Sequence, residues 1–156
     1  MPTKKLKEFL DSNNVKYITM SHSKAYTAQQ VAASIHIKGK KLAKTVMITI
    51  DGSMAMAVLP ASYNVDFDKF RDFIKADQVE LAPEQEFKDR FPGCEAGAMP
   101  PFGNLYQMDV YVAASLVEDE DILFNSGSHT ELIKMAYKDF EDLTKPNIVR
   151  FSYKSV

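Results

Sequence analysis

The chain has 156 residues, 46% of them hydrophobic and 26% charged, with a net charge of −2; these are the figures of an ordinary globular protein, not of a disordered or fibrous one. One domain spanning residues 1–156 is expected, since single domains run to about 100–200 residues, and the near-neutral charge supplies no global basic field for nucleic acid. No apolar run of membrane length or secretory type is present, which makes the cytoplasm the expected compartment; the single cysteine, Cys94, excludes an internal disulfide, and histidines scattered at 22, 36 and 129 make a poor zinc set.

Lys4 to Asn13 carries Leu6, Phe9 and Leu10 at helical spacing behind Thr3 as N-cap. Lys16 to Ser21 reads as a short strand. Thr27-Ala28-Gln29-Gln30 has the form of a capping box, opening a helix with Ala28, Val31, Ala32 and Ile35 inward and Tyr26 at its entrance. The dense basic cluster Lys38 to Lys44 leads into the β-branched strand Thr45 to Ile50. Asp51-Gly52 then predicts a hairpin whose return strand, Met54 to Leu59, is stopped by Pro60. Lys38, Lys40 and Lys41 suit a solvated turn. Lys44 stands at the start of a strand, where a side chain reaches either water or the mouth of a pocket.

Asp66 is placed to cap a helix through Ala76 with an inward stripe of Phe67, Phe70, Phe73 and Ile74. Gln78 to Leu81 is a short strand. Pro83 opens a helix to about Arg90 with acids in its first turn. Phe91 to Gly103 is a loop holding three of the six glycines and three of the seven prolines. Glycines at 93, 97 and 103 permit unusual φ, and Pro100 and Pro101 fix it, so the loop can present carbonyl oxygens at set positions. Asp109 to Ala113 and Ile122 to Phe124 are strands on either side of an acidic turn. Asn125 to His129 is a tight turn into a strand ending at Met135, followed by a helix to Leu143, and Ile148 to Tyr153 makes a final strand. Helices and strands are interspersed without a regular βαβ rhythm. The expected fold is α+β, a mixed, curved central sheet flanked by helices.

The common catalytic patterns are absent: there is no Gly-x-Ser-x-Gly elbow, phosphate-binding Walker loop, dinucleotide fingerprint or His-Glu-x-x-His. Ser126, Ser128 and His129 are adjacent in one turn, and neighbours in a turn rarely face one another. Cys94 with His129 is a conceivable pair on residue type alone.

Three segments in order, Leu42-Ala43-Lys44-Thr45-Val46, Gly93 to Gly103 and Phe124 to Thr130, together resemble the YbaK-type aminoacyl-tRNA deacylases, which are similar to the editing domain inserted in bacterial prolyl-tRNA synthetases. The resemblance extends to the helix entrance at Tyr26 and to the stretch Lys138 to Leu143. It implies hydrolysis of the ester joining a wrong amino acid to the terminal adenosine of transfer RNA, with no metal or other cofactor and with the substrate's own ribose hydroxyl assisting. It places the family lysine on Lys44, its Gly-x-x-x-Pro loop on Gly97 to Pro101, and its selecting histidine on His129. By the same resemblance Tyr26, Thr45, Met99, Pro100, Phe102, Gly127, Ser128 and His129 would line the substrate site. The implied partner is the acceptor end of an aminoacyl-tRNA, with an aminoacyl-tRNA synthetase as a second partner and no membrane. This chain has Met99-Pro100 before Pro101, where many relatives carry a smaller polar residue, which bears on the shape of the pocket. A non-catalytic module that binds the acceptor end or a synthetase, and a small-molecule hydrolase using Cys94, are the alternative readings.

Overall fold

The computed structural model describes residues 4–21, 42–91, 94, 98–118, 120–128 and 130–154. In chain order its elements are α1 (Lys4–Ser12), β1 (Tyr17–Ser21), β2 (Ala43–Ile50), β3 (Ser53–Pro60), β4 (Tyr63–Val65), α2 (Phe67–Ile74), β5 (Val79–Leu81), α3 (Glu84–Phe87), β6 (Asp109–Ala113), α4 (Ala114–Val117), β7 (Asp121–Asn125), β8 (Glu131–Ala136), α5 (Tyr137–Thr144), β9 (Asn147–Val149) and β10 (Ser152–Lys154). Short 3₁₀ turns cover Lys88–Arg90 and Gly103–Leu105.

The β2–β3 hairpin is the frame. Asp51 and Gly52 both take positive φ, 48° and 87°, the two-residue geometry that matches strand twist. The Asp51 carboxylate also accepts from the amides of Asp77 and Gln78, at 3.0 and 2.7 Å, which fastens the next strand to the turn. Pairing then runs without interruption from Ile50↔Ser53 to Ala43↔Pro60. Around this hairpin a five-stranded sheet is ordered β5-β2-β3-β6-β9. Strand β5 is antiparallel to β2, while β6 is parallel to β3 and β9 is parallel to β6. An antiparallel sheet of β1, β8 and β7 and a ribbon of β10 with β4 complete the strands. The architecture is thus α+β, with a mixed sheet flanked by helices.

Strand alternation sends successive side chains of the hairpin to opposite faces. On one face Ala43, Met47, Met56 and Val58 join Leu6 and Leu10 of α1, Phe102, Phe124 of β7 and Phe140 of α5. On the other, Ile48, Ala55, Ala57 and Leu59 pack with Phe70 of α2 and with Phe151, whose ring centroid is 4.7 Å from that of Phe70. A smaller cluster, Leu42, Ala61, Leu123 and Leu132, lies where the hairpin meets β7.

The expected helix from Asp66 forms, and Asp66 accepts from the Lys69 amide at 3.0 Å. It ends at Ile74 instead of Ala76, because Lys75 adopts the left-handed conformation, φ 57°. Its expected stripe is narrower, since Phe70 is fully buried but Phe73 is 55% exposed; eight residues against a twisted sheet bring one row of side chains down, and Phe73 falls off it. Pro60 is the last residue of β3 rather than its stop, at a strand terminus where proline is tolerated. The helix expected from Pro83 to Arg90 is one α turn, Glu84–Phe87, passing into a 3₁₀ turn. The single strand expected over Ile148 to Tyr153 is two: β9 joins the five-stranded sheet and β10 pairs with β4, with Arg150 and Phe151 making the corner. Thr3 and the helix expected after Thr27 lie outside the described residues.

Candidate active site

Strand β7 is where the separate segments meet. Ile122, Leu123 and Phe124 are almost completely buried and point alternately to two sides. Leu123 forms a parallel bridge with Leu42, immediately before β2. On the opposite side Phe124 meets the Phe102 ring at 5.5 Å. Beyond β7 the chain enters the turn containing Gly127 and Ser128. One buried strand therefore holds the start of β2, the proline-containing segment and the glycine turn together, although they are widely spaced in sequence.

Lys44 is the second residue of β2, paired with Leu59. It is the sole charged residue on either strand of the hairpin. Burial holds the Lys44 ammonium below the ordinary lysine value, because a partly desolvated cation loses hydration. Among the described residues no carboxylate lies within ion-pair distance of Lys44. A half-buried ammonium with no counter-ion among the described residues is suited to an external anion or developing negative charge.

Ala98, Met99, Pro100, Pro101, Phe102 and Gly103 form a continuous buried segment. It is anchored by Phe102, whose ring also meets Phe140 at 5.4 Å and Phe9 at 6.2 Å. Gly103 shows why the segment turns where it does. A Cβ there would stand 2.5 Å from the Met108 carbonyl oxygen and 2.8 Å from Val110 Cγ2, so only glycine permits this close approach. Met99 and Phe102 belong to the α1 side of the sheet. By strand alternation Thr45 faces that side, whereas Lys44 faces the side of Leu59 and Phe70. The fold thus brings Lys44 and the Met99–Phe102 segment to one end of β2 and β7, but their side chains stand on opposite faces of the hairpin.

The turn after β7 is held by polar contacts around the buried Ser126. Gly127 has φ 113°. Ser126 is fully buried and donates from Oγ to Glu131 Oε1 at 2.8 Å. Glu131 in turn is paired with Lys7 of α1 at 3.2 Å. Ser128 and Thr130 share a hydroxyl hydrogen bond of 2.8 Å. Ser126 is therefore occupied in holding the turn, and its partners Glu131 and Lys7 had no local motif to mark them; only the β7–β8 pairing reveals the link.

Cys94 is partly buried, with its sulfur 3.9 Å from the Tyr106 hydroxyl. Burial raises both the thiol and the phenol, the reverse of what an activated thiolate needs. Lys5 lies 4.7 Å above the Tyr106 ring centroid and donates to the Leu105 carbonyl at 2.7 Å, tying α1 to this segment. Tyr26, Gly93, Gly97, His129 and the lysines at 38, 40 and 41 lie outside the described residues. Among the described residues no three His, Cys, Asp or Glu side chains are grouped to hold a metal ion, and no helix is long and apolar enough to cross a membrane.

Comparison with known proteins bears on the family and the fold. Residues 22–143 match the family model of the aminoacyl-tRNA editing domain. Among curated proteins, the proline–tRNA ligase of Leuconostoc citreum is 31% identical over 75 residues, covering 48% of this chain and 13% of the ligase. The ligase of Bacillus mycoides is 25% identical over 92 residues, covering 57% of this chain and 16% of the ligase. The match therefore spans a small part of those relatives' length. Among solved structures, a hypothetical protein superposes with a TM-score of 0.84 at 15% identity, covering 96% of this chain and all of that one. A proposed trans-editing enzyme for prolyl tRNA synthetase superposes with a TM-score of 0.81 at 14% identity, covering 99% and 98% of the two chains. With the family model spanning most of the chain and including Lys44, the proline-containing segment and the glycine turn, this protein belongs to the aminoacyl-tRNA editing domain family.

Proposed function

We propose that this chain is a free-standing trans-editing hydrolase, a single domain that cleaves the ester between a wrong amino acid and the terminal adenosine of a transfer RNA. The observation that carries this reading is Lys44, a half-buried ammonium with no carboxylate partner among the described residues, at the end of the strand where all three family segments meet. As the ammonium it binds a phosphate of the terminal nucleotide or stabilises the negative charge that develops on the ester oxygen. Such preorganised charge contributes about 10²–10³ in rate where one group has been removed from comparable sites.

The remaining roles are those of placement. Pro101 and the backbone from Gly97 onward orient the substrate and an attacking water, a contribution of proximity. The substrate's ribose hydroxyl assists the proton transfer, in keeping with the absence of a Ser-His-Asp pattern. Tyr26, Thr45, Met99, Pro100, Phe102, Gly127, Ser128 and His129 shape the substrate site, and a pocket bounded by proline and methionine selects chiefly by size, favouring small amino acids. The reaction proceeds without a metal ion, and chelator treatment is expected to leave its rate unchanged.

The test is release of labelled amino acid from a panel of mischarged transfer RNAs by the wild type and by Lys44→Ala. Selective release that falls by about 10²–10³ in the variant is expected. If the wild type releases nothing from a broad panel yet binds acceptor-end RNA, hydrolysis is excluded and a binding module takes its place.

A further inference from the structure

A second polar site lies at the same end of the five-stranded sheet as Lys44. Ala114, Ser115 and Glu118 after β6, Tyr63 of β4, Lys69 of α2, and Arg150 and Ser152 at the β9–β10 corner enclose a cleft of about 280 Å³. Its lining includes two cations, two serine hydroxyls and one acid. Among the described residues neither Lys69 nor Arg150 has a carboxylate within ion-pair distance. The Ser115 hydroxyl oxygen is buried and without a hydrogen-bond partner among the described residues, a state that costs stability unless a ligand or water satisfies it.

The sheet register relates this cleft to Lys44. Lys44 pairs with Leu59, the residue after Val58, and Val58 pairs with Val112. Ala113, the next residue, pairs with Val149, which directly precedes Arg150. Lys44, Leu59, Ala113 and Val149 thus form one row across the sheet. The row's three apolar members belong to the core on the α2 side. Three ladder steps of about 4.8 Å separate β2 from β9 by roughly 14 Å. That is the reach of a few nucleotides, given one charge per 3.4 Å or so along a strand.

We propose that the Lys69–Ser115–Arg150–Ser152 cleft is a phosphate site that takes a backbone phosphate of the RNA strand whose 3′ end is held at Lys44. The proposal rests on the editing reading for the identity of that strand. It gives a chain with net charge −2 a local means of holding RNA: the two cations bind a phosphate, and the Ser115 and Ser152 hydroxyls donate to its oxygens.

The experiment measures binding of a labelled RNA minihelix ending in CCA by the full chain, as wild type and as the Lys69→Gln/Arg150→Gln double variant, across a salt series. Both residues are exposed, and equal unfolding midpoints for the two proteins verify that the fold is retained. The double variant is expected to bind about five- to twentyfold more weakly at low salt, with the slope of log affinity against log salt reduced by about one to two. Ser115→Ala is expected to lose about two- to threefold, the size of one modest hydrogen bond. Unchanged affinity and slope in the double variant overturns the proposal. So does loss of inorganic phosphate or AMP binding with RNA affinity intact, which would make the cleft a site for a free anion. Hydrolysis of an aminoacyl-adenosine without phosphate, compared between wild type and Lys44→Ala, tests the editing reading separately; its failure leaves the minihelix result to decide the cleft.

Discussion

The two faces of the β2–β3 hairpin are used differently. On the α1 side, Ala43, Met47, Met56 and Val58 are enclosed by a helix, a strand and the segment carrying Met99 and Phe102. On the α2 side the same strands supply Ile48, Ala55, Ala57 and Leu59, and the row ends in the half-buried Lys44. The first face is filled with apolar contact. The second gives up part of its terminal packing to keep a cation with incomplete hydration. The difference separates a face closed by apolar packing from one that ends in a charge.

The largest expected effect breaks the first face. Phe102→Ala removes a fully buried ring that touches Phe9, Phe124 and Phe140, and should destabilise the protein by about 3–5 kcal/mol. Urea unfolding followed by circular dichroism measures it; a loss under 1 kcal/mol would mean the segment is not anchored through this ring. An intermediate effect is expected at the turn that follows β7. Ser126→Ala removes the buried hydroxyl that donates to Glu131 Oε1 at 2.8 Å and leaves that oxygen to Lys7 alone, for about 1–2 kcal/mol, read from the same unfolding curves. An unchanged midpoint would show that the turn is held by its backbone alone.

The smallest effect sharpens the second face. Burial depresses the Lys44 pKa in the folded chain below 10.5, so between the lowered value and 10.5 the unfolded chain binds more protons than the folded one. Stability then rises with pH across that interval. Relative to Lys44→Met, the wild type should be less stable at neutral pH and should close the gap as pH approaches 10.5. Thermal midpoints of the two proteins at a series of alkaline pH values test this. A constant gap would mean that burial leaves the titration of Lys44 unshifted, and a widening one that Lys44 has a stabilising partner.

Local patterns in the sequence were enough for the hairpin, for the strand-to-helix passage at Ala136 to Tyr137, and for the Asp66 cap, because each depends on residues within a few positions of one another. Phe73 was misplaced since helical spacing specifies a stripe but not the width of the surface that receives it. The split between β9 and β10 was hidden because an apolar run does not say which of two sheets it joins. At the site, Lys44 stood out as a cation at the start of a β-branched strand. Its separation from Met99 and Phe102 by the plane of the hairpin follows only from register. The polar chain from Ser126 through Glu131 to Lys7 crosses more than a hundred residues and has no counterpart in local spacing. The cationic cleft was equally illegible, because Lys69, Ser115 and Arg150 meet only through the parallel placement of β6 and β9.

The order of the five-stranded sheet also bears on how the protein behaves in concentrated solution. Its outer strands, β5 and β9, are three residues long, and each carries an exposed apolar side chain, Leu81 at 63% and Ile148 at 43%. Long apolar edges are templates on which foreign strands add. Edges this short offer an arriving strand few hydrogen bonds for the entropy lost in docking, so the sheet can leave leucine and isoleucine at its margins without acting as a seed for self-assembly.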